Sequence, residues 1–548
     1  MHTSRRLSAR LTATASTTGL AAAGLALVPA ENASAAGAPQ GGHVYTLTAA
    51  NSGKYVAVLG DSLADGAAVV QKTASGGPGQ LWEAVDHGDG TFSLVNINSG
   101  KCMDIQNGSM NAGAAIIQGT CTGANSQRWT FSGSAIVSPR SGLCLDVSDN
   151  STTEDHRIIQ YTCKTTANAN QQWSLTERLR SATWGPAMVR GGQTFTEQTI
   201  RMVVHNNTSG AGLRIRLSNL RSTTALSVGA VTVAVQSSGA TAAAGTTHAV
   251  TFGRSATPTI PAGQELTSDV IPMPVVAEQN LLVSVYLPGT TGASTYHYAA
   301  YQTSYLSAAG TGNHAAEEAA TNFTATTNHW FYVAGLDVVS PTAKGTVVAF
   351  GDSITEGSSG TDNANQRWPD YLARRLQAES GGQRLGVVNA GIGGNRVVTD
   401  SPSAQQGIAA VTRFSHDVLT QPGVKNAIVL EGINDINNTA TPTPADRIIA
   451  GYQTMINQAH QAGVRIIGGT ILPNSTQTAA KAAIRAQVND WIRTSGAFDA
   501  VIDFDAALRD PANPAQLLPA YDSGDHLHPN SAGMQAIANA VDLALLTS

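Results

Sequence analysis

The sequence predicts a multidomain protein of three folded units. These are a β-rich N-terminal unit of three repeats, a middle antiparallel β-sandwich, and a C-terminal three-layer α/β domain with a parallel sheet. Three observations carry that expectation. Gln-x-Trp recurs as GQLWEA at 79, SQRWTF at 126 and NQQWSL at 170. Short apolar runs set between Gly, Ser, Thr and Asn turns then continue to about residue 342 without a helical period. Beyond that point apolar strands alternate with helical stretches, the pattern of a parallel sheet wrapped by helices. A chain of 548 residues is also too long for a single hydrophobic core.

Composition narrows the class. Charged residues make up 13% of the chain, the formal net charge is −5, and no basic run or stripe occurs, which excludes nucleic acid as a partner. Abundant Gly, Ser, Thr and Ala suit an extracellular β-rich protein. Arg5, Arg6 and Arg10 precede the apolar run GLAAAGLALV at 19–28, and ASA at 33–35 offers small residues for cleavage. Residues 1–35 therefore read as a secretory signal peptide, with an apolar run well short of the roughly 20 residues a membrane span needs. The expected product is secreted and extracellular, with no membrane span.

The first unit, residues 42–176, carries all four cysteines: Cys102, Cys121, Cys144 and Cys163. In an exported protein they point to structural disulfides. Cys102/Cys121 and Cys144/Cys163 are each 19 apart, so two equivalent bridges are the simplest of the three possible connectivities. Each bridge adds about 3 kcal/mol on the loop-entropy account. Trp82, Trp129 and Trp173 are spaced by 47 and 44 residues, and NSGKYVAV, NSGKCMDI and RSGLCLDV sit upstream of them in register. Such a period marks units that bury their faces only against copies of themselves.

On these motifs the unit resembles the ricin B-type lectin family, a carbohydrate-binding β-trefoil. The resemblance implies that the tryptophans are core and that sugar is contacted elsewhere. The contacts are an Asp two residues after the first Cys, an aromatic two before the second, and polar residues just before the Trp. Asp146, Tyr161, Asn170 and Gln171 fill these places in the third repeat. The second keeps Asp104 and Gln127 but has Gly119 at the aromatic place, and the first has Tyr55 and Ala57 where Cys and Asp are expected. An aromatic face stacks on a pyranose while carboxylate and amide bond its hydroxyls.

Residues 177–342 read as strands, among them QTIRMVVHN, LRIRLSN, VTVAVQ, LLVSVYL and WFYVAGLDVV. The segment resembles the β-sandwich that precedes the catalytic domain in some secreted actinobacterial ester hydrolases. It holds no catalytic set, and its role stays open between a spacer, a wall of the active site and a second binding surface.

In residues 343–548 the strands TVVAF, LGVVNA, NAIVLEG, VRIIGGT and AVIDF alternate with helical stretches such as WPDYLARRLQAE and ADRIIAGYQTMINQAHQAG. Polar motifs follow in order: GDSITEG at 351, NAGIGGN at 389, EGINDI at 431 and SGDHLHPN at 523. This series resembles the SGNH, or GDSL, hydrolase family, with a flavodoxin-like sheet. The resemblance implies a nucleophile at Ser353, a base at His528 and an orienting Asp525. It also implies an oxyanion hole from the backbone N–H groups of Ser353 and Gly394 and the side-chain amide of Asn434. Gly391 competes with Gly394 for that place. The chemistry needs these types: serine is a weak nucleophile until a base takes its proton, and the acid fixes the tautomer of that base. Asp352 and Asp435 are expected to brace their loops, Trp368 to pack at a helix start, and His526 to turn away from Ser353.

The sequence thus predicts a secreted serine esterase working through an acyl-enzyme, with no cofactor and no metal, as a monomer. Its expected partner is a polysaccharide bearing acyl groups such as acetyl or feruloyl. A lipase or lysophospholipase acting on lipid esters is the alternative, although the C-terminal third holds no long apolar segment suited to a lid. A carbohydrate-binding protein without catalysis is the second alternative.

Overall fold

The structure, a computed structural model, describes residues 37–164, 168–340, 343–379, 384–437 and 441–547. The expected signal peptide, 1–35, lies outside the described residues.

Three fully buried tryptophans organise the N-terminal β-trefoil. The indole N–H groups of Trp82, Trp129 and Trp173 donate to the carbonyls of Val56, Met103 and Leu145 at 3.0, 3.3 and 3.1 Å. Those three acceptors occupy one place in the repeat, so each Trp ties the end of its repeat to the repeat's second strand, Tyr55–Val58, Cys102–Ile105 or Cys144–Val147. The glutamine of Gln-x-Trp is equally structural. Gln80, Gln127 and Gln171 donate to the carbonyls of Thr73, Thr120 and Thr162 and accept from the backbone N–H of Ser75, Thr122 and Lys164. A second glutamine set joins the repeats to one another: Gln71 donates to Ser151 and Thr153, Gln118 to Ser62 and Ala64, Gln160 to Ser109 and Asn111. The disulfides are Cys102–Cys121 and Cys144–Cys163. Strand Val44–Ala49 pairs antiparallel with Trp173–Arg178, so first and last strands meet.

One residue, Leu179, separates that last strand from the first strand of the sandwich, Arg180–Trp184. The sandwich packs a four-stranded antiparallel sheet, which includes Arg180–Trp184, Ala211–Ser218 and Val333–Val339, against a seven-stranded one. Ile200, Met202 and Val204 of the larger sheet alternate into a core shared with Leu213, Ile215 and Leu217 of the smaller. The trefoil docks on the sandwich through Val44, Leu81 and Ile97 against Ala211 and Val339, with Glu83 paired to Arg214.

The C-terminal sheet has five parallel strands: Ala343–Gly351, Arg384–Gly391, Val424–Leu430, Arg465–Gly469 and Ala500–Ile502. Numbered in chain order they lie 2-1-3-4-5, the flavodoxin-like order. The first strand is therefore flanked on both sides by buried apolar partners, which is why Val347, Val348, Ala349 and Phe350 are wholly buried. Chain order reverses beside this strand, and in such sheets ligands bind beyond its carboxyl end.

Sandwich and α/β domain share one continuous apolar core. Asn207 bridges Val387 with both halves of its amide, donating to the carbonyl at 2.7 Å and accepting from the N–H at 3.3 Å. Ala182 N–H donates to Thr346 Oγ1 at 2.9 Å. Gly386 is required here, because a Cβ at that place would stand 2.0 Å from the Ala182 carbonyl oxygen.

Candidate active site

The strand Ala343–Gly351 ends in a tight turn that presents Ser353. Asp352 caps the short helix Ser353–Glu356, its carboxylate accepting from Ile354 N–H at 3.0 Å. Gly357 closes the helix in the left-handed region, φ 109°, and its N–H returns to the Ser353 carbonyl at 2.9 Å. The serine is thus held by strand, cap and C-cap together.

Ser353 meets a residue 175 positions away: its Oγ lies 2.8 Å from His528 Nε2. His528 Nδ1 lies 2.5 Å from Asp525 Oδ2. With Nδ1–H given to the carboxylate, Nε2 is left to accept the serine hydroxyl. Asp525 Oδ1 accepts the N–H groups of Leu527 and His528 at 2.9 and 2.7 Å. Burial alone would raise Asp525, but the His528 imidazole and these N–H groups hold it down to about 2. His526, in the left-handed region, bonds Asp522 at 2.7 Å instead of Ser353.

Gly394 and Asn434 line the same open cleft as Ser353 and His528. Gly394 has φ 76°, a turn that favours glycine, and a Cβ there would strike the Gln406 side chain at 2.5 Å. Gly391 N–H is already given to Asn389 Oδ1 at 3.0 Å, so of the two candidate glycines Gly394 is the one facing the cleft. Asp435 accepts from Val397 N–H at 2.7 Å and Val398 N–H at 3.3 Å, which fastens the loop carrying Gly394 to the turn carrying Asn434. Trp368 is buried at the start of helix Trp368–Ala378, its N–H 3.3 Å from Thr355 Oγ1.

In the third trefoil repeat Tyr161 is 43% exposed while Asp146, Asn170 and Gln171 are buried behind it. The Asp146 carboxylate accepts from Asn170 Nδ2 at 2.8 Å and Gln171 Nε2 at 2.7 Å. Burial dominates its proton affinity and raises it, with the two amides and Lys164 opposing. In the second repeat Asp104 accepts from Gln127 at 2.9 Å, beside Gly119.

Residues 349–536 match the GDSL-like Lipase/Acylhydrolase family. Residues 33–119 and 90–208 match two ricin-type β-trefoil lectin domain families. The chain joins a GDSL-family hydrolase domain to a ricin-type trefoil. Among solved structures it is similar to the designed threefold-symmetric protein ThreeFoil, 39% identical over 24% of this chain and 97% of that one, TM-score 0.23. It is also similar to an exo-β-1,3-galactanase from Clostridium thermocellum, 34% identical over 25% of this chain and 30% of that one, TM-score 0.24. A G-D-S-L family protein from Desulfitobacterium hafniense DCB-2 is 23% identical over 36% of this chain and 96% of that one, TM-score 0.28. No curated protein matches the chain.

Beneath the Ser353 turn of the GDSL domain lies a buried acidic group that motif reading does not reveal. Asp352, Glu356, Glu431 and Asp435 are all buried. Burial pushes Glu356 up to about 8 and Asp435 up to about 6. Burial, reinforced by neighbouring carboxylates, raises Asp352 and Glu431 as well. Arg413, itself fully buried, lies 3.6 Å from Glu431 and donates to the carbonyls of Gly351 and Ala390 at 2.8 Å each. It thereby ties the ends of the two strands that deliver Ser353 and the Gly394 loop. The sandwich reaches the GDSL cleft too, contributing Tyr298, Ala299 and Tyr301 to its wall. Among the described residues no helix is long and apolar enough to cross a membrane.

Proposed function

We propose that this protein is an exported serine esterase that removes acyl groups, such as acetyl or feruloyl, from a polysaccharide. The observation that carries the reading is the unbroken hydrogen-bonded chain from Ser353 through His528 to Asp525. His528 takes the serine proton as Oγ attacks the ester carbonyl, and Asp525 steadies the imidazolium that forms. The tetrahedral oxyanion is held by the N–H groups of Ser353 and Gly394 and by the Asn434 amide. Collapse expels the alcohol, which receives the proton from His528. Water then repeats the sequence on the acyl-enzyme and frees the acid.

The trefoil supports the choice of substrate. Tyr161, with Asp146, Asn170 and Gln171 behind it, forms the sugar-contacting set of the third repeat, and Asp104 belongs to a reduced set in the second. Retention on a polymer raises the local concentration of ester at the catalytic cleft.

A fluorophosphonate probe tests the chemistry. It should label the parent protein at Ser353 and leave Ser353→Ala unlabelled, with ester hydrolysis lost in parallel. A panel of acetylated xylan, feruloylated arabinoxylan, p-nitrophenyl esters from C2 to C16 and phospholipid tests the substrate class. Preference for long chains or phospholipid would replace the carbohydrate reading with a lipase or lysophospholipase.

A further inference from the structure

We propose that the sandwich supplies the catalytic cleft with a sugar-ring subsite whose platform is Tyr298, so that an acylated pyranose is read at the cleft itself. The inference rests on the esterase reading of Ser353. Tyr298 is 43% exposed and lines the same cleft as Ser353, His528 and Asn434. An exposed aromatic at that place is backed by other rings. Tyr298 stacks on His329 with centroids 5.2 Å apart and planes at 27°, and meets Tyr296 edge-on at 6.3 Å.

The segment that carries the ring is pinned to the GDSL domain. Asn363 Oδ1 accepts from Gln302 Nε2 and Thr303 N–H at 2.7 Å each, and Asn363 N–H donates to the Tyr301 carbonyl at 3.0 Å. Arg367 donates to the Ala300 carbonyl at 3.3 Å, and the Tyr301 hydroxyl lies 3.0 Å from Ser358 Oγ. Tyr301 itself is held at φ 47°, a conformation costly for a residue with a side chain. A ring fixed in this way loses little further entropy when a ligand stacks on it.

The chemistry around the ring selects the ligand class. Hydroxyls of Tyr301 and Ser358 and amides of Gln405 and Gln406 share the cleft, whereas Ala299 and Leu527 are its only aliphatic side chains among the described residues. An alkyl chain needs continuous apolar walls. A pyranose needs one flat aromatic face for its C–H groups and several polar groups for its hydroxyls, and the cleft has both.

The test compares kcat/KM for acetylated xylotriose with kcat/KM for p-nitrophenyl acetate in the full chain. Tyr298→Ala should lower that ratio about tenfold, chiefly through KM for the sugar ester. Tyr298→Phe keeps the ring and should restore the ratio. As a second measurement on the unaltered protein, xylotriose should compete with p-nitrophenyl acetate, which keeps the test valid if Tyr298→Ala does not fold. An unchanged ratio in Tyr298→Ala, a loss that Tyr298→Phe fails to restore, or no competition by xylotriose overturns the subsite while leaving the esterase reading intact. A parent protein that cleaves neither ester and takes no fluorophosphonate overturns both.

Discussion

Glu356 lies 3.5 Å from the imidazole of His297, and both side chains are buried where the sandwich meets the Ser353 turn. Burial pushes His297 down to about 4, so it is neutral, while Glu356 is pushed up to about 8 and keeps its proton at neutral pH. The contact is one of uncharged partners, one turn of helix from Ser353.

That proton makes stability depend on pH. The folded protein retains it, whereas the unfolded chain releases it in the ordinary carboxylate range. The contribution of Glu356 to stability should therefore fall as pH rises from about 5 to about 8, by at most about 1.4 kcal/mol per pH unit for its one proton. Glu356→Gln preserves shape and removes the titration, so its urea midpoint should vary less across the same window. Equal slopes in variant and parent would show that Glu356 does not hold the proton.

Asp525→Asn should lower kcat by about 10³-fold with KM little changed. The about 10⁴-fold expected of a wholly buried orienting acid is an upper bound, because the Asp525 side chain is 45% exposed and water can partly replace it. Since Asp525 is held down to about 2, its own discharge should not limit activity above about pH 3. Stopped-flow acylation with p-nitrophenyl acetate measures the loss directly, and a change confined to KM would assign Asp525 to substrate binding.

Asn434→Ala should reduce kcat by about 10²–10³-fold, since an amide in the proposed oxyanion hole serves mainly the transition state. Steady-state kinetics on a small soluble ester separates this from a binding role, which would raise KM at constant kcat.

In the trefoil, two substitutions should part company. Asp146→Ala strips the acceptor from two buried amides, Asn170 and Gln171, and should cost about 1–3 kcal/mol for each donor left unpaired. Tyr161→Ala removes an exposed ring and should change thermal stability little, yet release the protein from insoluble xylan in a pull-down. Full retention of Tyr161→Ala would move the glycan contact away from the third repeat.

The turns that converge on the cleft were readable because their motifs fix residue types at strand ends. GDSITEG, EGINDI and SGDHLHPN mark turns that the structure brings to one cleft. The trefoil was readable because Trp82, Trp129 and Trp173 each perform the same task in one period. Contacts between domains left no such trace. Asn207 and Val387, or Asn363 and Gln302, belong to different units, and nothing periodic links their positions. Arg413 reads as one more polar residue on a helix, although it ties two strand ends together behind Ser353. The four buried acids, Asp352, Glu356, Glu431 and Asp435, were motif letters whose shared burial only packing reveals.

Leu179 alone joins the last trefoil strand to the sandwich, and Val44, Leu81 and Ile97 seal the joint. A lectin on a loose leash would let its enzyme graze in any direction. Here the grip and the blade are set at one opening, like the legs of a locked compass. On the proposed function, a trefoil holding a polymer would bring only acyl groups at that one offset within reach. The pattern of bared positions along the chain would then record the dimensions of the protein, and each release and fresh grip would set its stride.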